Sequence, residues 1–248
     1  MEDLMDFAIP QEVVKDLEQF TGYLRTHLEP ELAGWYKKEA IPREFFRILG
    51  KDGWLGFTLK NGEFLEQSYL KQTILLEHLA KISPGVAVAI MAHISLGMVP
   101  LYLFGSEKQK KIYLPPALRG ETLLCLGNTE HKAGSDVASI AMQAEKAEGG
   151  WILKGTKAYV TNGAISDLAM VTAVSDPDAS RNRRLSMFLV DLSSTGVSRK
   201  KLNKIIKNER RVSSSRTPIR MDTCFLATSL GGCRNDPPKV INKNRITP

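Results

Sequence analysis

Cysteine is scarce in this chain: Cys125, Cys224 and Cys233 are an odd number, with no CxxC spacing and no accompanying histidine pattern. That excludes a disulfide framework and a structural zinc site, and it fits a reducing compartment. A basic leader is missing too, because the sequence opens Met1-Glu2-Asp3 with Asp6 close behind, the reverse of a secretory signal or an Arg-rich presequence. The expected location is therefore cytoplasmic. No GxGxxG follows a strand-like segment, which sets aside a βαβ dinucleotide fold. His27, His78, His93 and His131 form no ligand spacing, so no metal site is expected.

Basic charge is nearly absent from the body as a net quantity. The chain carries +7, but residues 205–248 hold nine Lys and Arg against three Asp and Glu, a net +6 that leaves +1 for residues 1–204. With no aromatic interleaving in that tail, nucleic acid is not an expected partner. Val86–Phe104 lacks any Asp, Glu, Lys or Arg; Gly97, Pro100, His93 and Ser95 interrupt it, and no second such span accompanies it, so a buried core helix is expected and not a membrane crossing. The remaining composition, 43% hydrophobic and 25% charged, is that of an ordinary folded chain.

What is there divides in two. Residues 1–120 have helical periodicity: Val13, Val14, Leu17, Phe20, Leu24 and Leu28 form one stripe after Pro10, Phe45, Phe46 and Leu49 follow Pro42, and Leu70, Ile74, Leu75 and Leu79 mark a helix over about Glu63–Ile82. Ser83-Pro84 has the residues of a cap and first turn, Ser106-Glu107-Lys108-Gln109 those of a capping box, and Pro115-Pro116 those of a helix stop. Past Gly120 the period shortens to two. Thr122–Leu126, Ser139–Lys146, Trp151–Lys154, Leu168–Val174 and Leu185–Leu192 read as strands, with Glu148-Gly149-Gly150 as a hairpin turn. The expected fold is α+β and multidomain: an all-α domain over 1–120, an antiparallel β-barrel-like domain over 121–204, and a basic tail over 205–248 in which the pattern dissolves.

Two polar clusters stand out. Gly127-Asn128-Thr129-Glu130-His131-Lys132-Ala133-Gly134-Ser135-Asp136 lies between strand-like segments and offers amides and hydroxyls to a phosphate or a heteroaromatic edge. Gly155-Thr156-Lys157-Ala158-Tyr159-Val160-Thr161-Asn162-Gly163 sets Tyr159 and Thr161 two apart, so that on a strand both face one side, a flat ring beside a hydroxyl. Taken singly, each is equally a surface loop or an ordinary strand and Asn-Gly turn.

In this order, and with the helix segment Phe104-Gly105-Ser106-Glu107-Lys108-Gln109-Lys110-Lys111-Ile112-Tyr113-Leu114-Pro115 before them, the clusters resemble the acyl-CoA dehydrogenase family over about residues 5–204. The family's Thr-Glu-x-x-Ala-Gly-Ser-Asp motif appears as Thr129–Asp136 and its Gly-x-Lys-x-Trp/Tyr-Ile/Val-Thr-Asn-Gly motif as Gly155–Gly163.

The resemblance implies a flavoprotein that binds FAD and an acyl-CoA and carries out α,β-dehydrogenation, passing electrons to an electron-transferring flavoprotein or to oxygen. It implies that Leu126, Asn128 and Thr129 meet the polar edge of the flavin, that Tyr159 packs on its rings, that Thr161 bonds near the hydride-accepting nitrogen, and that Ser135 contacts the FAD phosphate or the CoA moiety. His131-Lys132 replaces the family's common Pro-Gly or Pro-Asn, adding bulk beside the flavin loop. The family-like text ends near Lys204, before the C-terminal helical bundle that supplies the catalytic carboxylate and the homo-oligomer contacts. The expectation is thus a shortened enzyme with no assignable catalytic base. The alternative is a non-catalytic acyl-CoA- or flavin-binding or interaction protein built from the same domains.

Overall fold

The computed structural model describes residues 9–56, 68–147, 150–181, 183–200, 217–221 and 228–229. Seven helices come first: α1 (Gln11–His27), α2 (Leu32–Lys38), α3 (Arg43–Lys51), α4 (Ser68–Ile82), α5 (Pro84–Met91), α6 (Val99–Phe104) and α7 (Glu107–Leu118). The α1 stripe does its work, with Val13, Phe20 and Leu24 buried. Leu70 departs from its expected place and is 46% exposed on α4, whereas Leu75 and Leu79 are inside.

The charge-free segment Pro84–Phe104 is the helix long and apolar enough for a membrane span, yet 56% of its apolar window is buried inside the protein. Its middle, Ala92–Met98, is π-helical and buries His93, Ile94, Gly97 and Met98. Ser83 precedes this helix without capping it: its hydroxyl is buried and has no hydrogen-bond partner among the described residues. At α7 the capping box is present, with Ser106 Oγ accepting from Gln109 N–H and Gln109 Oε1 from Ser106 N–H. Pro115 and Pro116 do not stop α7 where expected. They sit in its last turn, lose only their donors, and keep accepting through their carbonyls, from Arg119 N–H at 3.2 Å and Glu121 N–H at 2.9 Å.

The β region comprises β1 (Leu124–Gly127), β2 (Gln143–Ala147), β3 (Gly150–Val160), β4 (Leu168–Val174), β5 (Leu185–Asp191), β6 (Val197–Arg199), β7 (Thr217–Met221) and β8 (Thr228–Ser229). They form one sheet in the order β6-β7-β3-β2-β4-β5-β8, with β1 beside β4. This corrects the antiparallel barrel expectation in two respects. First, β1 runs parallel to β4, because the whole β2–β3 hairpin intervenes between them and supplies the long crossover a parallel pair needs. Second, β6 and β8 end the order and no pairing among the described residues closes it.

The expected strand at Ser139 also begins later. Ile140, Met142 and Ala144 alternate inward as the sequence suggests, but the amides of Ala141 and Met142 bond to the Glu130 carboxylate, not to a strand. β7 and β8 come from the segment in which the pattern was expected to dissolve; β7 lies between β3 and β6, and Pro218 falls opposite an irregularity in β3 where no ladder donor is required. Asn61-Gly62 and most of the basic tail lie outside the described residues.

The two halves share a core. Leu168, Met170 and Leu189 of the sheet pack with Phe46, Ile90, Ile94 and Met98 of the helices. Arg43, at the start of α3, donates to both Asp167 oxygens (2.9 and 2.7 Å) and to Ile165 O (2.6 Å), while Asp167 Oδ2 also accepts from Leu123 N–H.

Candidate functional site

The two polar clusters meet through a buried ion pair. Counting inward positions along β3 from the buried Leu153 places Lys157 inside as well, and its side chain is 0% exposed. Its Nζ donates to Glu130 Oε1 at 2.8 Å and to Asn128 O at 3.1 Å. Glu130 in turn accepts from Met142 N–H on Oε1 at 3.0 Å and from Ala141 N–H on Oε2 at 2.9 Å. Burial by itself would raise the Glu130 pKa, but Lys157 and the two amides outweigh it and hold the carboxyl below its ordinary value. On Lys157, burial pulls the pKa down and Glu130 offsets part of the effect. A further bond, Ala158 N–H to Thr129 O at 2.8 Å, completes the seam.

Asn128 and Thr129 are half-buried, with their main chains tied down and no side-chain hydrogen bond to any described residue. Leu126 lies on β1 opposite Met170 and is packed on the core. His131 and Lys132 occupy the two central positions of a tight turn closed by Glu130 N–H to Ala133 O (2.8 Å) and Ala133 N–H to Glu130 O (3.3 Å). Both residues are exposed. Ser135 is exposed farther along the loop, where Asp136 bonds Ser139 and Arg181, and Arg184 donates to Ala138 O (2.8 Å) and Ile140 O (3.0 Å). The structure brings Asn128 and Thr129 against the Tyr159 end of β3; it gives Ser135 no bond to that group.

Tyr159 and Thr161 do not share a strand face. The β3–β7 register shifts between Lys157 and Val160, and Tyr159 takes a left-handed φ of 56°. Such a bulge re-aims the side chain, and Tyr159 is 42% exposed. β3 ends at Val160, leaving Thr161 in the turn closed by Gly163 N–H to Val160 O at 3.2 Å. Asn162, also at positive φ (63°), is buried and donates from Nδ2 to Ala89 O on α5 at 2.7 Å.

Sequence reasoning found the two clusters but missed what joins them. Lys157 had a legible signal in the alternation from Leu153. Asn162 and His93 had none. His93 is fully buried, with Nε2 3.1 Å from Ala117 O and Nδ1 3.1 Å from Leu124 N–H, an arrangement that requires the neutral imidazole with its proton on Nε2. Desolvation lowers its pKa to about 4. Cys125, on β1, is free and buried, and burial pushes its thiol up to about 12, which makes it inert as a nucleophile.

The arrangement amounts to an exposed aromatic residue beside amide and hydroxyl groups that have no partner among the described residues, on a rigid base. That suits a planar heteroaromatic ligand with a polar edge.

Comparison with known proteins gives the same answer along the chain. The acyl-CoA dehydrogenase N-terminal domain matches residues 11–121 and the acyl-CoA dehydrogenase middle domain residues 125–210, so the likeness runs past the Lys204 limit expected from the sequence. The chain is 34% identical over 190 residues to the mitochondrial isovaleryl-CoA dehydrogenase of Pongo abelii, covering 74% of this chain and 44% of that protein. It is 29% identical over 189 residues to an acyl-CoA dehydrogenase of Bacillus subtilis, covering 76% and 50%. It superposes on the acyl-CoA dehydrogenase of Geobacillus kaustophilus with a TM-score of 0.82 at 26% identity, over 91% of this chain and 59% of the other. A glutaryl-CoA dehydrogenase of Mycobacterium smegmatis in complex with FADH2 gives a TM-score of 0.79 at 26% identity, over 88% and 54%. The chain spans about half the length of the curated relatives it matches. With a helical domain followed by a β domain in the same order, the chain belongs to the acyl-CoA dehydrogenase family.

Proposed function

We propose that this chain forms one wall of an FAD and acyl-CoA site and serves the α,β-dehydrogenation of an acyl-CoA thioester. The observation that carries the reading is the exposed Tyr159 ring, held at positive φ next to Asn128 and Thr129, whose side chains have no bond to a described residue. These residues fit a flavin: a face for its rings, with an amide and a hydroxyl for its polar edge.

FAD, when bound, supplies the acceptor for the hydride leaving the β-carbon. The chain's own part is orientation. Lys157 and Glu130 lock the loop to β3, Leu126, Asn128 and Thr129 line the polar edge, Tyr159 supports the ring system, and Thr161 adds a hydroxyl from the turn. Ser135, exposed farther along the loop, faces the phosphates of FAD or CoA. An electron-transferring flavoprotein is the proposed electron acceptor, a homo-oligomer the proposed assembly and the cytoplasm the proposed location, the last supported by the buried, free Cys125.

The reaction also needs a carboxylate to take the α-proton. Neither carboxylate of the loop is available: Glu130 is occupied by Lys157 and two amides, and Asp136 by Arg181 and Ser139. That observation favours the second reading, binding without turnover. Incubating the purified chain with excess FAD, removing free ligand and recording the visible spectrum tests the first point; absence of bound flavin sinks the proposal. Adding acyl-CoA then separates the readings: bleaching supports dehydrogenation, and a stable flavin spectrum supports binding alone.

A further inference from the structure

We infer that His131 is a positioning residue that orients the Tyr159 ring for the flavin. The inference rests on the flavin reading above and concerns one of the two turn positions at which this chain departs from the family's usual residues.

Three observations converge on it. Tyr159 holds a left-handed φ of 56°, a conformation bulky residues rarely adopt and one that persists where the surroundings enforce it. The residue is 42% exposed, and no hydrogen bond to a described residue restrains its hydroxyl. A ring so placed is free to turn about its side-chain torsions, which weakens any ligand that needs it in one pose. Among the described residues the ring it meets is the imidazole of His131, at a centroid distance of 6.1 Å and an interplanar angle of 73°. This is the edge-to-face arrangement that aromatic pairs prefer.

The turn explains why the imidazole is there. The paired bonds between Glu130 and Ala133 fix the backbone on either side of His131, and Glu130 itself is pinned by Lys157 from β3. The same ion pair that joins the loop to the strand thereby sets His131 against Tyr159, two residues beyond Lys157. A small residue at position 131 would leave that flank of the tyrosine open.

The test uses the full chain and two readouts. FAD affinity is measured by quenching of flavin fluorescence, and the Tyr159 ring resonances are followed in ligand-free protein carrying 13C-labelled tyrosine, assigned with Tyr159→Phe. His131→Ala and His131→Gln should each weaken FAD about fivefold, and His131→Phe should stay within about twofold of the native chain. The Tyr159 resonances should move in the first two variants without any ligand present. Native-like FAD affinity in His131→Ala and His131→Gln, or unmoved Tyr159 resonances, overturns the inference. A native chain that binds no FAD overturns the flavin reading along with it; native binding with unaffected variants overturns this inference alone.

Discussion

Lys157 Nζ lies 2.8 Å from Glu130 Oε1 with its side chain fully buried, and this ion pair, with the bonds of Lys157 to Asn128 O and of Ala158 N–H to Thr129 O, joins the two sequence clusters into one surface. Glu130 also caps the amides of Ala141 and Met142, so one carboxylate organises the loop, the entry to β2 and the end of β3. Removing it leaves a buried ammonium with Asn128 O as its remaining partner among the described residues. Glu130→Ala should therefore cost about 3–5 kcal/mol, measured by urea denaturation. Lys157→Met combined with Glu130→Gln should recover much of the loss, because no charge is then left buried. Equal stability of the single and double variants would refute a role for the pair.

The pH dependence of stability has a sign set by His93. Its folded pKa of about 4 lies below the ordinary histidine value of about 6.5, so the unfolded state binds the extra proton first as pH falls. The stability is therefore fully present above about pH 6.5 and lost on descending towards pH 4, by about 3 kcal/mol in all. Glu130 acts in the same direction lower down, since its depressed pKa gives stability that is lost as pH falls through the folded value. Urea midpoints of the native chain and His93→Gln between pH 7 and 4 should converge as pH falls. Parallel curves would show that His93 does not titrate on unfolding.

Asn162 is constrained twice, by a φ of 63° and by its bond to Ala89 O. Asn162→Gly relaxes the backbone and loses one buried bond, a net cost of about 1 kcal/mol. Asn162→Asp turns a donor into a charged acceptor facing a carbonyl, and should cost at least about 3 kcal/mol at neutral pH. Thermal unfolding of the pair at pH 7 separates them; an Asp variant as stable as the Gly variant would contradict the contact.

Gly97 is where the π-helical segment passes β1. A Cβ added there would lie 2.5 Å from Leu124 Cβ, so Gly97→Ala must displace either the helix or the strand that leads to Leu126 and Asn128. A destabilisation of about 1–3 kcal/mol is expected, together with weaker FAD binding. Native stability and affinity in this variant would mean that β1 yields without consequence.

How much of this was legible varies by element. The α1 stripe, the capping box at Ser106 and the inward alternation of Ile140, Met142 and Ala144 follow from local periodicity and capping chemistry, and the structure keeps each of them. The family motifs named the loop and the turn. Where the reading failed, a distant partner had intervened. Ser139–Met142 has the pattern of a strand, but the amides of Ser139 and Ile140 close local turns and those of Ala141 and Met142 go to Glu130; Tyr159–Thr161 alternates like a strand, but the shifted register with β7 turns Tyr159 outward.

The sequence by itself determined the division into helices and strands, the near-neutral body and the family, because each of these is written in residues close together along the chain. Only the tertiary structure decided that Lys157 meets Glu130, that Asn162 reaches Ala89, that β1 runs parallel to β4 and that His131 rests on Tyr159. Those pairs are separated along the chain, and their energies arise from burial and from the direction of hydrogen bonds, which exist only once the helical and β layers have packed.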